Sequence, residues 1–249
     1  MNLTYIGIDL TRHLRNVSNL MFTLLLPVAM YIIFGATASY GDESAGNANS
    51  KFYVMASMAA YGAALATTST AANAASEAML GWGRQLSLTR QPFTGYVLNK
   101  VVVAVALASV AVAIVFVAGA LTGAKADSWW IWLATYGIIL GGSVIFALFG
   151  LAVGLLFKSE TATGIASGAL VFLAFFGNMF LPLSGTMLDI ARFTPMYGYA
   201  SLSRWPATEG WLSDGTRDSL TWSVVNFVAW LVIFGTLAVL AGRKARARQ

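Results

Sequence analysis

The chain has 249 residues, 58% of them hydrophobic and 10% charged, with a formal net charge of +5. A soluble domain carries roughly 45–50% apolar and 25% charged residues, so this composition excludes one that stays dispersed in water. With no cysteine and a single histidine, His13, it also excludes disulfides, thiolate metal sites and any His cluster for zinc or haem.

Residues 3–18 come first in the chain. Leu3, Ile6, Leu10, Leu14 and Val17 recur at helical spacing, while Asp9, Arg12 and Arg15 lie elsewhere on the wheel. The pattern predicts an amphipathic helix lying in the membrane interface. Six stretches without any charged residue follow, at 16–41, 52–76, 101–124, 128–157, 161–188 and 219–242. About 20 residues of helix cross the hydrocarbon core, and a charge there is costly, so each stretch is long enough to span. The expected spans are about 20–40, 53–76, 101–122, 129–157, 161–181 and 219–241. Fold class follows: an all-α membrane protein, one domain over 1–249, with six transmembrane helices.

Span 1 contains Pro27, tolerable where neighbours re-satisfy the freed carbonyl. Ala36-Thr37-Ala38 imitates a signal-peptide cleavage site, but the apolar run is long for one, and it reads as an uncleaved span. The connection Gly41–Ser50 is polar and turn-rich, hence expected to be external and flexible. Span 2 is rich in Ala, Ser and Thr, a composition for close contact with other helices and a central position. Segment 77–100 is the longest expected cytoplasmic connection. Trp129, Trp130 and Trp132 open span 4 where an aromatic belt belongs. Gly137, Gly141, Gly150, Gly154, Gly164 and Gly168 form three small-xxx-small pairs, which imply close helix packing. Lys158-Ser159-Glu160 make a tight turn, with Ser159 as N-cap of span 5 and Glu160 in its positive first turn. Segment 182–217 carries Pro182, Pro195 and Pro206, too interrupted for a span and too apolar for a free loop. It is expected to form re-entrant outer helices, with Pro182 ending span 5.

Charge sets the orientation. Arg12, Arg15, Arg84, Arg90, Lys100, Lys158, Arg243, Lys244, Arg246 and Arg248 fall on one side of a six-span chain. Only Lys51, Lys125, Arg192, Arg204 and Arg217 fall on the other, so both termini are expected in the cytoplasm. The basic tail reads as a topology anchor near anionic headgroups, which removes the argument for nucleic acid as a partner.

No Asp, Glu, Lys or Arg lies within the six stretches, against the intramembrane groups of proton-coupled transporters and of lipid-modifying enzymes. No GxxxxGK[ST] phosphate loop occurs. An intramembrane lipid-modifying enzyme would therefore lack its acid, base or metal. A passive channel or sensor would lack a visible filter, though its cavity could signal.

Two motif regions carry a family resemblance. One is Gly177-Asn178-Met179-Phe180-Leu181-Pro182-Leu183, followed by Met187-Leu188-Asp189-Ile190-Ala191-Arg192-Phe193-Thr194-Pro195-Met196-Tyr197. The other is Glu77, then Gly83-Arg84-Gln85-Leu86 and Leu88-Thr89. With the six-span layout these resemble the permeases of type-2 ABC transporters, mainly bacterial exporters. Pro92 is displaced from its usual place after the Thr, and Thr186-Met187 replaces the second Pro that usually precedes the Leu-x-x-Ile-Ala run.

The resemblance implies a permease subunit in the bacterial inner membrane, working with two copies of an ATP-binding cassette subunit and with a second permease copy or a sister permease. ATP and Mg would be bound by that partner, with no cofactor or catalytic site in this chain. Glu77, Trp82, Arg84 and Arg90 are the expected ATPase-coupling residues on segment 77–100. Spans 1, 2 and 5 are expected to line the pathway and dimer seam, through Thr67, Thr68 and Asn73 of span 2 and Phe172, Phe175, Phe176 and Asn178 of span 5. Pro182, Phe193, Pro195 and Tyr197 are expected in an outer gate. There Leu188, Ile190, Phe193 and Tyr197 would bury, while Asp189, Arg192 and Arg204 snorkel to the headgroups. An uncharged cavity favours amphipathic or lipid-like cargo, such as a drug, lipid or antimicrobial peptide.

Overall fold

The computed structural model describes residues 3–15, 21–77, 93–157, 161–212 and 215–246. Ten helices account for most of them: α1 Leu3–Arg15, α2 Met21–Ala36, α3 Ser50–Glu77, α4 Phe93–Thr122, α5 Trp129–Gly142, α6 Val144–Leu156, α7 Ala162–Phe176, α8 Gly185–Ala191, α9 Pro195–Thr208 and α10 Leu220–Arg246. Among the described residues there is no strand, only isolated bridges between loops. The chain is an all-α membrane protein. Asn99–Thr122, Trp129–Leu156 and Leu220–Lys244 are each long and apolar enough to cross a bilayer, at 24, 28 and 25 residues. α2 and α7 are shorter apolar helices. Turn 158–160, with its expected cap, lies outside the described residues.

Helix α3 is the axis. Twenty-one of its 28 residues are buried, and it packs against α2, α4, α5, α6, α7 and α9. Small side chains make this possible, since Ala, Ser, Thr and Gly let six neighbours approach one backbone. Its Phe52 and Tyr61 fill the wider spaces towards one end, in edge-on contact with Trp132 and Phe180 at 4.9 and 4.8 Å.

Of the three glycine pairs, one packs within the chain. A Cβ on Gly150 would meet Thr68 O at 2.2 Å, and one on Gly154 would meet Ala72 O at 2.6 Å, so α6 lies backbone to backbone on α3. Gly137, Gly141, Gly164 and Gly168 face open space instead.

Three boundaries depart from the expected ones. The fourth stretch breaks at Ser143, where the α5 and α6 axes join. In α2, α-helical turns at Leu26–Tyr31 sit between two π-helical ones, with Pro27 in the first α-helical turn. The third departure is at α7, which ends at Phe176 rather than at Pro182. Asn178 adopts a left-handed φ of 55°, and a Cβ on Gly177 would meet Met196 Cβ at 2.5 Å, so α9 closes the helix off before the proline.

The connection Gly41–Ser50 is tied down, contrary to the free loop its composition suggested. Asn47 N–H donates to Ala207 O at 2.7 Å, and Asp127 N–H to Asn47 O at 2.9 Å. The Asn49 carboxamide caps α3 at Phe52 N and also holds Lys125 N and Gly123 O. Asn47 and Asn49 thereby tie the connection to the loop at 123–127, to the first turn of α3 and to the end of α9, which a reading by polarity alone cannot detect.

Candidate functional site

The most concentrated chemistry lies where α1 meets the ends of α3 and α4. Lys100 Nζ lies 2.9 Å from Asp9 Oδ2 and 3.2 Å from Glu77 Oε2. Arg12 Nη2 donates to Glu77 Oε1. Two carboxylates and two cations thus balance, and Asp9 and Lys100 are almost fully buried, at 5% and 6% exposure. Among the described residues, Asp9 is the one departure from the expected faces of α1: Ile6 and Leu10 pack against the core and Arg12 and Arg15 are exposed, as the periodicity predicts, but Asp9 is buried, with His13 beside it. The physical reason is Lys100, 91 residues away, which supplies the counter-charge that makes burying Asp9 tolerable.

His13 stands beside this cluster and lines a small cavity with Thr23, Ser69, Thr70 and Leu107. Burial lowers its pKa below the ordinary 6.5, helped by Lys100 and Arg12 and opposed by Asp9 and Glu77. A folded state that takes up this proton less readily than the unfolded chain loses stability as pH falls through 6.5 and below. Thermal unfolding in detergent is expected to show a falling midpoint between about pH 7.5 and about pH 5.5, above the ordinary carboxylate range near 4. His13→Gln should flatten that slope; an unchanged slope would show that another group carries it.

Of the expected ATPase-coupling residues, Glu77 is the one described, and its carboxylate is engaged by Arg12 and Lys100. Trp82, Arg84 and Arg90 lie outside the described residues. Glu77 and Phe93, the last residue of α3 and the first of α4, bracket that segment.

The expected pathway residues divide. Thr67 Oγ1 donates to Ser143 O and Thr68 Oγ1 to Phe146 O, each at 3.0 Å, so both buried hydroxyls fasten α3 to the α5–α6 break. Asn73 Oδ1 accepts from Thr163 Oγ1 of α7 at 2.6 Å. Phe172, Phe175 and Phe176 present an exposed apolar surface, with Phe175 edge-on to Phe180 at 4.9 Å. Asn178 is buried, and its Oδ1 accepts from Leu183 N–H at 2.8 Å.

At the other end of α3, α8 and α9 pack on the bundle. Pro182 is exposed, Pro195 is buried at the first turn of α9, and the buried Tyr197 donates its hydroxyl to Asp218. Leu188 is buried as expected, whereas Ile190 and Phe193 are exposed at 54% and 66%. Phe193 instead meets the Trp222 ring of α10 edge-on at 5.5 Å. Arg192 reaches Asp189 at 3.1 Å and Asp218 at 3.3 Å. Arg204 is the sharpest correction. Rather than snorkelling, it is 2% exposed, with Nη1 donating to Asn178 O at 2.8 Å and its guanidinium over the Tyr53 ring at 4.6 Å. Its carbonyl and aromatic partners come from α3 and from the turn after α7, distant in sequence, so local hydropathy gave no sign of them.

No protein-family model matches the chain. It is 26% identical over 248 residues, 96% of each chain, to the Bacillus subtilis (strain 168) protein named "Putative transport permease YvfS". That likeness runs the whole length and supports the recognition of the chain as a permease, a multi-pass membrane component of transport.

Proposed function

We propose that the chain is the permease subunit of an ATP-driven exporter of the type-2 ABC class. Six helices, with the α5–α6 pair counted as one, would cross the bacterial inner membrane, both termini in the cytoplasm. The α1 end of the bundle is then the cytoplasmic end, where Arg12, Lys100, Arg243 and Lys244 agree with the positive-inside rule. The opposite end, closed by α8, α9 and the Asn47–Asn49 knot, is the external gate.

The observation that carries this reading is the Asp9–Lys100–Glu77–Arg12 cluster. It joins an interfacial helix to both helices that bracket residues 78–92, so a push on that segment reaches α1, the axial α3 and α4 together. A permease without its own phosphate loop needs such a transmission point. The ATP chemistry, with its Mg, belongs to two cassette subunits, and a second permease copy or sister permease completes the pathway. An amphipathic or lipid-like cargo suits helices without intramembrane charge, with Phe172, Phe175 and Phe176 offering an aromatic surface to cargo or to the second subunit.

The test is to purify the tagged chain with its cassette subunit and compare Arg84→Ala/Arg90→Ala with the wild type. At unchanged membrane insertion, the double variant is expected to lose most of the copurifying ATPase or to hydrolyse ATP without transport. Normal assembly together with normal coupling would remove segment 78–92 from the mechanism.

A further inference from the structure

Arg204 is a cation without a counter-ion. Among the described residues no carboxylate lies within 4.0 Å of it, although every other buried charge of the bundle is paired: Asp9 with Lys100, and Asp218 with Arg192. Its Nη1 shares Asn178 O and, at 3.4 Å, Ser57 Oγ, while Nη2 is buried without a hydrogen-bond partner. A guanidinium carries five donors in a fork that matches carboxylate and phosphate oxygens. One carbonyl, one long hydroxyl contact and one aromatic face leave that fork incompletely used. Burying such a charge is costly unless it is paired, so the site is poised for a negative group.

The surroundings define what could fill it. Tyr53 and Ser57 belong to α3, Asn178 to the turn after α7, and Arg204 to α9, so the guanidinium sits where three separate elements converge. Four residues along α3 from Ser57, the Tyr61 ring meets Phe180 edge-on, two residues past Asn178, and Phe175 continues that aromatic contact to the exposed face of α7. A charged fork beside an aromatic track is the form of a site for an amphiphile.

We propose that Arg204, with Ser57 and Asn178, binds the anionic head, a carboxylate or phosphate, of an amphiphile whose apolar tail lies along Phe180 and Phe175. The guanidinium is covered here, so the head enters when α9 moves away from α3. This rests on the permease reading and narrows its cargo to acidic amphiphiles, while bilayer lipid is a second source of the same head group.

Binding can be read without any ATPase, so a failed site would leave the permease reading standing, and an absent ATPase would leave the site testable. Detergent-purified protein is titrated with dodecyl phosphate, with inorganic phosphate and with dodecyltrimethylammonium, and separately reconstituted in nanodiscs with or without phosphatidylglycerol. The readout is the unfolding midpoint. Dodecyl phosphate is expected to raise it and dodecyltrimethylammonium to leave it unchanged. Arg204→Gln should weaken the apparent affinity at least about tenfold, the equivalent of about 1.4 kcal/mol. Should that variant fail to fold, Ser57→Asp decides. It sets a carboxylate beside Nη1, and is expected to raise the midpoint of the free protein and abolish the response. A response to phosphatidylglycerol that Ser57→Asp removes assigns the site to lipid, whereas a response to inorganic phosphate without one to dodecyl phosphate overturns the amphiphile site. No response to any anion, or one that persists in Ser57→Asp, overturns the proposal.

Discussion

Replacing Lys100 by methionine is expected to destabilise the protein by about 3–5 kcal/mol, the cost of leaving a buried carboxylate without its partner. Asp9 is 5% exposed and Lys100 Nζ lies 2.9 Å away, so water reaches the carboxylate poorly once that charge is lost. Glu77 keeps Arg12, which limits the damage on that side. The double variant Asp9→Leu/Lys100→Met should recover most of the loss, because it removes both charges together and leaves no polar group buried without a partner. The measurement is thermal or denaturant unfolding in one detergent, with protease cleavage of α1 as a second readout. A single variant within about 0.5 kcal/mol of wild type would mean that the pair does not hold α1 in place.

The second large effect is expected at Gly154 and Gly150. A Cβ at either position meets α3 backbone oxygen, at 2.6 and 2.2 Å, and backbone cannot move aside as a flexible side chain can. Gly150→Val should therefore cost at least about 1–3 kcal/mol of overpacking. It should also strain the Thr68 bond to Phe146 O, four residues earlier on α6. A Cβ added at Gly137 would have nothing within 4 Å, so Gly137→Ala should be neutral or stabilising by up to about 1 kcal/mol. Equal effects at the two sites, read from unfolding midpoints, would show that α6 does not depend on its glycines for contact with α3.

The contrast between those glycines shows where sequence reading ends. Six similar small-residue positions carry the same motif, yet only Gly150 and Gly154 contact a neighbour in this chain. Spacing marks a surface that can pack closely but cannot name its partner. The helices themselves were legible for a stronger reason: lipid forbids charge, so uncharged runs and the Ala/Ser/Thr content of α3 announced their roles. What escaped were two charges buried by distant partners, Asp9 and Arg204. Periodicity sets Asp9 with Arg12 and Arg15 away from the apolar face of α1, because hydropathy cannot register Lys100. Sequence alone sends Arg204 to the headgroups, since snorkelling is the usual refuge of a lone cation, and Asn178 O and the Tyr53 ring become visible only in three dimensions. The Gly41–Ser50 connection escaped similarly, its asparagines capping and bridging other loops instead of facing water.

The proposed function makes this chain half of an ATP-driven assembly, with α1, α3 and α4 receiving the stroke. Native mass spectrometry of the tagged chain, released gently from the membranes of its own cell, tests that most directly. The predicted result is a complex in which the 26.4 kDa permease is accompanied by a second permease and two ATP-binding cassette subunits, and in which Lys100→Met weakens that association. A chain that is released fully folded and without any ATPase, under conditions that preserve other membrane complexes, would contradict it.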